Sequence, residues 1–221
     1  MAVGIVRLRN GAGRDGVQLD MTTSSFGVTY DYRCPFARNV HEHIVEAIRG
    51  GADWEVEFVP FSLTQSHVEE GGTPVWEDRD KVSDLTAIEA GMVVRDRYPE
   101  RFLDVHIALF TARHDEGRDL RDDSVVREVL KANDVDADAV FDAVAEGWPR
   151  QVFRRAHEAS VTDHQVFGVP TFISGDASAF VRIMTRPGGD AELARTTIEG
   201  VLELLTGHPE INEFKHTSIS R

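Results

Sequence analysis

The sequence predicts an α/β fold in which a β-α-β unit and a later β-β-α unit share one sheet domain, with a helical stretch inserted between them. Three observations predict it. Apolar residues alternate, then recur every four, then alternate again over residues 26–58. Residues 63–159 carry only helical signals, and strand character resumes at Gly168. A chain of 221 residues is long enough for one well-buried core with an inserted subdomain.

Residues 1–22 read as an N-terminal extension or a hairpin. Val3, Ile5, Val6 and Leu8 alternate loosely, turn through Asn10-Gly11-Ala12-Gly13, and are followed by Val17 and Leu19. The string from Gly11 to Gly16 has the form of a dinucleotide-binding fingerprint. No helix pattern opens at its last glycine, so a chance match is the better reading. Phe26, Val28 and Tyr30 then alternate with Gly27, Thr29 and Asp31 as a first strand. Pro35 suits the first position of a helix, where its missing N–H costs nothing. Phe36, Val40, Ile44 and Ile48 form the buried stripe of that helix, and Gly50-Gly51 ends it. Trp54, Val56 and Phe58 alternate with Glu55 and Glu57 as the second strand.

The helical stretch shows one apolar face at Leu85, Ile88 and Met92 and another at Phe102, His106, Leu109 and Phe110. Asp123 or Ser124 is a candidate cap for a helix carrying Val126, Val129 and Leu130, and Asp136 for the next. Pro149 opens a further helix with Val152, Ala156 and Ala159 on one side. Gly168–Ile173 and Ala179–Ile183 read as partner strands. Asp190 caps a last helix whose face is Leu193, Ile198, Val201, Leu202 and Leu205. The expected organisation is therefore residues 23–63 with 160–207 as the sheet domain, 64–159 as the helical insertion, and 208–221 as a surface tail.

Composition narrows the function. Hydrophobic residues make 41% and charged residues 28% of the chain, the balance of a soluble globular protein. A formal net charge of −14 argues against nucleic-acid binding, which draws its affinity from neutralising phosphates. No charged-then-apolar leader opens the chain, and no apolar run approaches the roughly 20 residues that span a membrane. A single cysteine excludes an intrachain disulfide framework and leans towards a reducing compartment. The expectation is a cytoplasmic protein with no membrane contact.

That cysteine, Cys34, stands in Tyr32-Arg33-Cys34-Pro35-Phe36-Ala37, where the first strand gives way to the helix. A sulfur there faces the orphan N–H groups and the positive end of the helix dipole. Such thiols have pKa values lowered to about 3.5–7.5. Arg33 and Arg38 are placed to add to the effect. A lone cysteine is more commonly a small buried hydrophobe, but the flanking arginines and Pro35 argue against burial. Ala37, one turn on, stands where a second cysteine would close a disulfide, so a mixed disulfide on Cys34 needs a thiol from solution to clear it. Pro170 after Val169 is, taken alone, a strand-start proline.

The histidines point elsewhere. His41 and His43 are two apart on a helix and face different sides, which argues against joint metal ligation, and no metal site is expected. His106 lies on an apolar stripe as a satisfied core or boundary residue. His157 and His164 precede the Pro170 loop with no local sign of a role. Trp76 and Trp148 beside prolines suit either ordinary packing or a groove wall. Asp31 is either a turn residue or a proton handler.

Asp31-Tyr32-Arg33-Cys34-Pro35-Phe36-Ala37, a long helical stretch, and Val166-Phe167-Gly168-Val169-Pro170-Thr171-Phe172 together resemble the DsbA-like branch of the thioredoxin superfamily. The resemblance covers roughly residues 26–206 and implies a thioredoxin-like fold with an inserted helical subdomain. It implies Cys34 as nucleophile, Pro35 and Phe36 as the dipeptide that tunes it, and Val169-Pro170 as a cis-proline loop that pairs with substrate backbone. Ala37 departs from the redox members, which carry cysteine there. Asp31, Pro35 and Ala37 are instead similar to the 2-hydroxychromene-2-carboxylate isomerases and kappa-class glutathione transferases, with Cys34 in place of serine.

Three functions follow. The leading one is a thiol–disulfide oxidoreductase working through Cys34 alone on a protein disulfide or a small-molecule thiol adduct. Glutathione or mycothiol would act as co-substrate, and no cofactor is tightly bound. The alternatives are a small-thiol-dependent isomerase or transferase and a non-catalytic thioredoxin-fold binding module. A homodimer is left open.

Overall fold

A computed structural model describes residues 24–217. The expected extension or hairpin over residues 1–22, with its Gly11–Gly16 string, lies outside the described residues. The alternation at Phe26, Val28 and Tyr30 forms β1 (Ser24–Tyr30). It runs parallel to β2 (Trp54–Pro60), with Ser24 opposite Trp54 and Tyr30 opposite Pro60. α1 (Pro35–Arg49) is the crossover between them. β3 (Thr171–Ser174) pairs antiparallel with β1, Val28 lying opposite Phe172, and β4 (Ala177–Phe180) pairs antiparallel with β3. The strand order is β2-β1-β3-β4.

β1 is flanked by strands on both sides and covered on both faces, so five of its residues in succession, Phe26–Tyr30, are buried. Val28 and Tyr30 face α1, and Tyr30 meets the His41 ring at 5.5 Å. The α1 helix packs in turn against α8 (Ala191–Gly207). The opposite face carries α7 (Trp148–His164), with a cavity of about 280 Å³ beneath it between Glu57, Gly27, Ile173 and Ser160.

Between β2 and α7 lie α2 (Leu63–Ser66), a 3-10 turn (Val82–Leu85), α3 (Thr86–Arg97), α4 (Pro99–His114), α5 (Asp123–Ala132) and α6 (Ala137–Ala145). α3 is the hub, touching α4, α5, α6 and α7, and α4 reaches α1. One hydrophobic core runs from Val28 and Phe172 through Phe58 and Phe102 to Val126 and Val140. Sheet and insertion therefore share an interior.

Several local expectations shift. Asp122, rather than Asp123 or Ser124, caps α5, because its carboxylate accepts from the Ser124 N–H at 2.9 Å. The buried stripe of α7 is Phe153, Ala156, His157 and Ser160, one step round from the expected face, and Ala159 is exposed. In α8 Ala194 takes the buried place expected of Leu193, which is 48% exposed. The partner strand begins earlier than Ala179 because Gly175-Asp176 makes a two-residue turn, with Gly175 at φ 58°. Ser174 then faces Ala177, and strand pairing uses Ala177–Phe180. Val181 adds one hydrogen bond to the Pro170 carbonyl, while Arg182 and Ile183 lie beyond the strand.

Candidate functional site

The turn from β1 into α1 is closed by the Cys34 N–H bonding the Asp31 carbonyl at 3.0 Å. Cys34 is extended at φ −91°, ψ 118°, and its sulfur accepts from the Ala37 N–H at 3.5 Å as the cap of α1. The Sγ–H donates to the Val169 carbonyl oxygen at 3.3 Å. The Val169–Pro170 peptide bond is cis. Thr171 fixes that loop from its far side: its N–H donates to Thr29 Oγ1 and its hydroxyl to the Gly168 carbonyl, both at 2.8 Å. Sequence positions 34 and 169–170 are thus brought into contact.

The expected low thiol pKa is overturned. Cys34 is only 8% exposed, and burial pushes its pKa up, with a smaller push from the Asp31 carboxylate. The Ala37 and Phe36 N–H groups pull the other way and are outweighed. The flanking arginines neither keep the sulfur exposed nor serve it. Arg33 bridges Asp31 and Asp84, each at 2.9 Å, and Arg38 pairs with Asp115 at 2.8 Å. Desolvation of a charge is costly, and an arginine already held by a carboxylate offsets little of it.

Of the two readings of Asp31, the structure supports the turn residue. It is 1% exposed, and its carboxylate accepts from the Arg33 N–H and the Leu63 N–H at 2.9 Å besides pairing with the guanidinium. Asp84 accepts in addition from the Thr64 hydroxyl at 2.7 Å. Neither the Leu63 N–H nor Asp84 carried a sequence signal, since they lie 32 positions from Asp31 and 51 from Arg33. A cavity of about 520 Å³ opens on the insertion side of this cluster, lined in part by Tyr32, Arg33, Arg113 and Arg121.

Phe36, Phe167 before β3, Phe180 at the end of β4 and Arg182 just beyond it form the other wall. Arg182 lies 5.4 Å from the Phe36 ring centre and 5.9 Å from that of Phe180. Phe180 meets Phe167, which is 74% exposed, at 5.2 Å. An aromatic ledge therefore borders the Val169–Pro170 loop. His157 is turned away from the thiol: its Nδ1 accepts from the Ser62 N–H at 3.2 Å, and its ring packs on Phe61 and Trp76. His164 lines the smaller cavity under α7. Trp76 is packing, set against Phe153. Among the described residues no group of three His, Cys, Asp or Glu side chains is arranged to hold a metal ion.

A reactive-position cysteine at a helix start, facing a cis X-Pro loop on a four-stranded sheet with inserted helices, has a counterpart among known proteins. The model of the DSBA-like thioredoxin domain matches residues 28–190, well over half of the chain. The chain belongs to the DsbA-like thioredoxin family. Among solved structures, this DsbA-like chain is similar to MdbA, a thiol-disulfide oxidoreductase from Actinomyces oris, at 17% identity and TM-score 0.57. That likeness covers 82% of this chain and 84% of the other. It is similar to Pseudomonas aeruginosa DsbA at 19% identity and TM-score 0.52, over 85% and 89% of the two chains. A 2-hydroxychromene-2-carboxylate isomerase matches at 14% identity and TM-score 0.56, over 81% and 96%. At these identities the likeness is one of fold. No curated protein sequence matches the chain. Among the described residues, no helix of this DsbA-like protein is long and apolar enough to cross a membrane.

Proposed function

We propose that the protein is a single-cysteine thiol–disulfide oxidoreductase. The observation that carries this reading is the Cys34 sulfur, held at the start of α1 within 3.3 Å of the Val169 carbonyl beside a cis proline. After losing its proton, Cys34 attacks one sulfur of a disulfide; the Cys34–S bond forms, the S–S bond breaks, and the other sulfur leaves as thiolate. With alanine at position 37 the adduct persists until a small thiolate attacks it, restoring Cys34 and carrying off the bound group as a new disulfide. Glutathione or mycothiol suits that second step, and the lone cysteine suits a reducing, cytoplasmic setting. Phe36, Phe180 and the exposed Phe167 offer apolar surface to a protein substrate beside the loop, whose residues 168–171 are themselves buried.

A second reading has its own support. A buried thiol with a raised pKa is a hydrogen-bond donor before it is a nucleophile. A neutral Cys34 would then hold the sulfur of a bound small thiol, as a thiol-dependent isomerase or transferase requires. The two readings part on one experiment: incubation with glutathione disulfide across pH 6–10, followed by intact mass. Redox chemistry predicts a Cys34 adduct whose rate climbs with pH, cleared by reduced glutathione and absent in Cys34→Ser. Absence of an adduct at every pH would overturn the redox reading in favour of the second.

A further inference from the structure

His41 and His106 are fully buried and take no part in the thiol chemistry, yet every nitrogen of both rings is used. The Tyr32 hydroxyl lies 2.9 Å from His106 Nδ1, His106 Nε2 lies 2.9 Å from His41 Nδ1, and His41 Nε2 lies 3.3 Å from the Thr29 carbonyl oxygen. Thr29 itself, through Oγ1, accepts the Thr171 N–H at 2.8 Å. This run starts two residues before Cys34 and finishes on the residue after Pro170. Those are the two segments whose separation sets the distance from Sγ to the Val169 oxygen.

The direction of the run is dictated from its carbonyl end. A carbonyl only accepts, so His41 carries its proton on Nε2. Burial lowers the His41 pKa to about 3 and that of His106 well below its ordinary value, so both rings are neutral near pH 7. A neutral ring protonated on Nε2 accepts at Nδ1. His106 therefore donates from Nε2 and accepts the Tyr32 hydroxyl at Nδ1. Because the last acceptor is a carbonyl, no proton can be passed along the run; it holds position and transfers nothing. The rings of Tyr30, Phe102, Phe58 and Phe110 enclose His106 with centres 4.8 to 5.2 Å away, leaving it no other partner of similar strength.

We propose that His106 and His41 are positioning residues for Cys34. Together they form a strut from the helical insertion that sets the Cys34 loop against the Val169–Pro170 loop and keeps the sulfhydryl on the Val169 carbonyl. The proposal rests on Cys34 being the working group of the site, and its test reads the thiol itself rather than turnover.

Tyr32→Phe deletes one hydroxyl and keeps the ring against Phe110, and Thr29→Val deletes the Oγ1 at the other end. In the full chain the single cysteine gives one S–H stretching band in the infrared and one alkylation site for iodoacetamide. A hydrogen bond donated by the thiol favours its neutral form. Both variants are expected to move the S–H band to higher frequency and to lower the alkylation midpoint. For Tyr32→Phe the fall is about half a pH unit, roughly threefold in rate below the midpoint. Val140→Ala, a cut in the core face of α6, which packs on α3, α5 and α7 rather than on α1 or α4, should lower Tm and leave both thiol readouts unmoved. An unchanged band and midpoint in Tyr32→Phe, or an equal shift in Val140→Ala, overturns the proposal. The unsubstituted chain offers a check that needs no variant: imidazole nitrogen-15 shifts should place the proton of both rings on Nε2, and Nδ1–H on His106 would overturn it. Adduct formation with glutathione disulfide is scored separately. Its absence removes the redox reading and leaves the result for the strut standing.

Discussion

Cys34 is both the cap of α1 and the proposed nucleophile, and the two roles oppose each other. As a cap its sulfur sits among N–H donors that favour thiolate; as a buried residue it is kept from the water that would solvate the charge. Asp31 adds to the second effect. Asp31→Asn removes that negative charge and leaves Arg33 with Asp84, and both changes favour the thiolate. The Cys34 alkylation midpoint should therefore fall in Asp31→Asn, measured as rate against pH; a rise or no change would show that loop geometry outweighs charge. The buried histidines give a second prediction of opposite origin. Burial holds His41 at about 3, His157 at about 4 and His106 well below its usual value. An unfolded chain takes up protons below about pH 6.5 that these folded groups refuse, so stability present at pH 7 is lost as pH falls. Each such histidine costs about 1.4 kcal/mol per pH unit below that point, down to its folded pKa. Urea midpoints at pH 7 and pH 5 should differ clearly, and a flat profile would mean that these rings are hydrated.

At the scale of elements, α3 carries a glycine where helix propensity alone would favour alanine. A Cβ at Gly91 would lie 2.6 Å from the Tyr32 hydroxyl oxygen. Gly91→Ala would gain up to about 1 kcal/mol of helix propensity and meet an overpacking cost of about 1–3 kcal/mol. Because Tyr32 is buried and tied to His106, the cost should win: Tm falls, and Gly91→Ala combined with Tyr32→Phe falls no further than either effect added. A Tm increase in Gly91→Ala would show that Tyr32 yields freely. The same elements show what was legible beforehand. The α1 stripe, the Asp136 and Asp190 caps and the β-α-β … β-β-α order follow from periods and cap residues, which are local. Cys34 burial was not legible, because the helix-terminus argument counts nearby N–H donors and omits the desolvation imposed by Val169, 135 positions away. The strut was equally hidden: its partners are 74 and 65 positions apart, and no spacing rule links them.

Across the whole molecule, insertion and sheet behave as one body because each supplies the other's interior. His106 and Phe102 of α4 pack on Phe58 of β2, and Arg95 of α3, almost fully buried, donates to the Phe58 carbonyl at 3.3 Å. A chain of ion pairs closes the far side, from Arg38 of α1 to Asp115 after α4, then through Arg186 before α8 back to Glu42 of α1. These pairs are partly buried, with Glu42 8% and Arg186 46% exposed, but they join only the rim of the two parts, so the shared apolar core and not the clamp decides cooperativity. Cutting between the two halves would expose Phe58, Tyr30 and His41 on one side and Phe102 on the other. The expected behaviour is a single unfolding transition, despite a chain longer than those that usually show one. Calorimetry should give one peak. Fluorescence dominated by Trp54 in β2, read in a Trp76→Phe, Trp148→Phe background, should melt at the same temperature as the helical circular dichroism signal. A helical transition that precedes the Trp54 transition would make the insertion an independent unit. It would also separate His106 from Cys34 in energy as well as in sequence, since a strut anchored in a part that melts alone cannot hold the thiol loop in a part that remains folded.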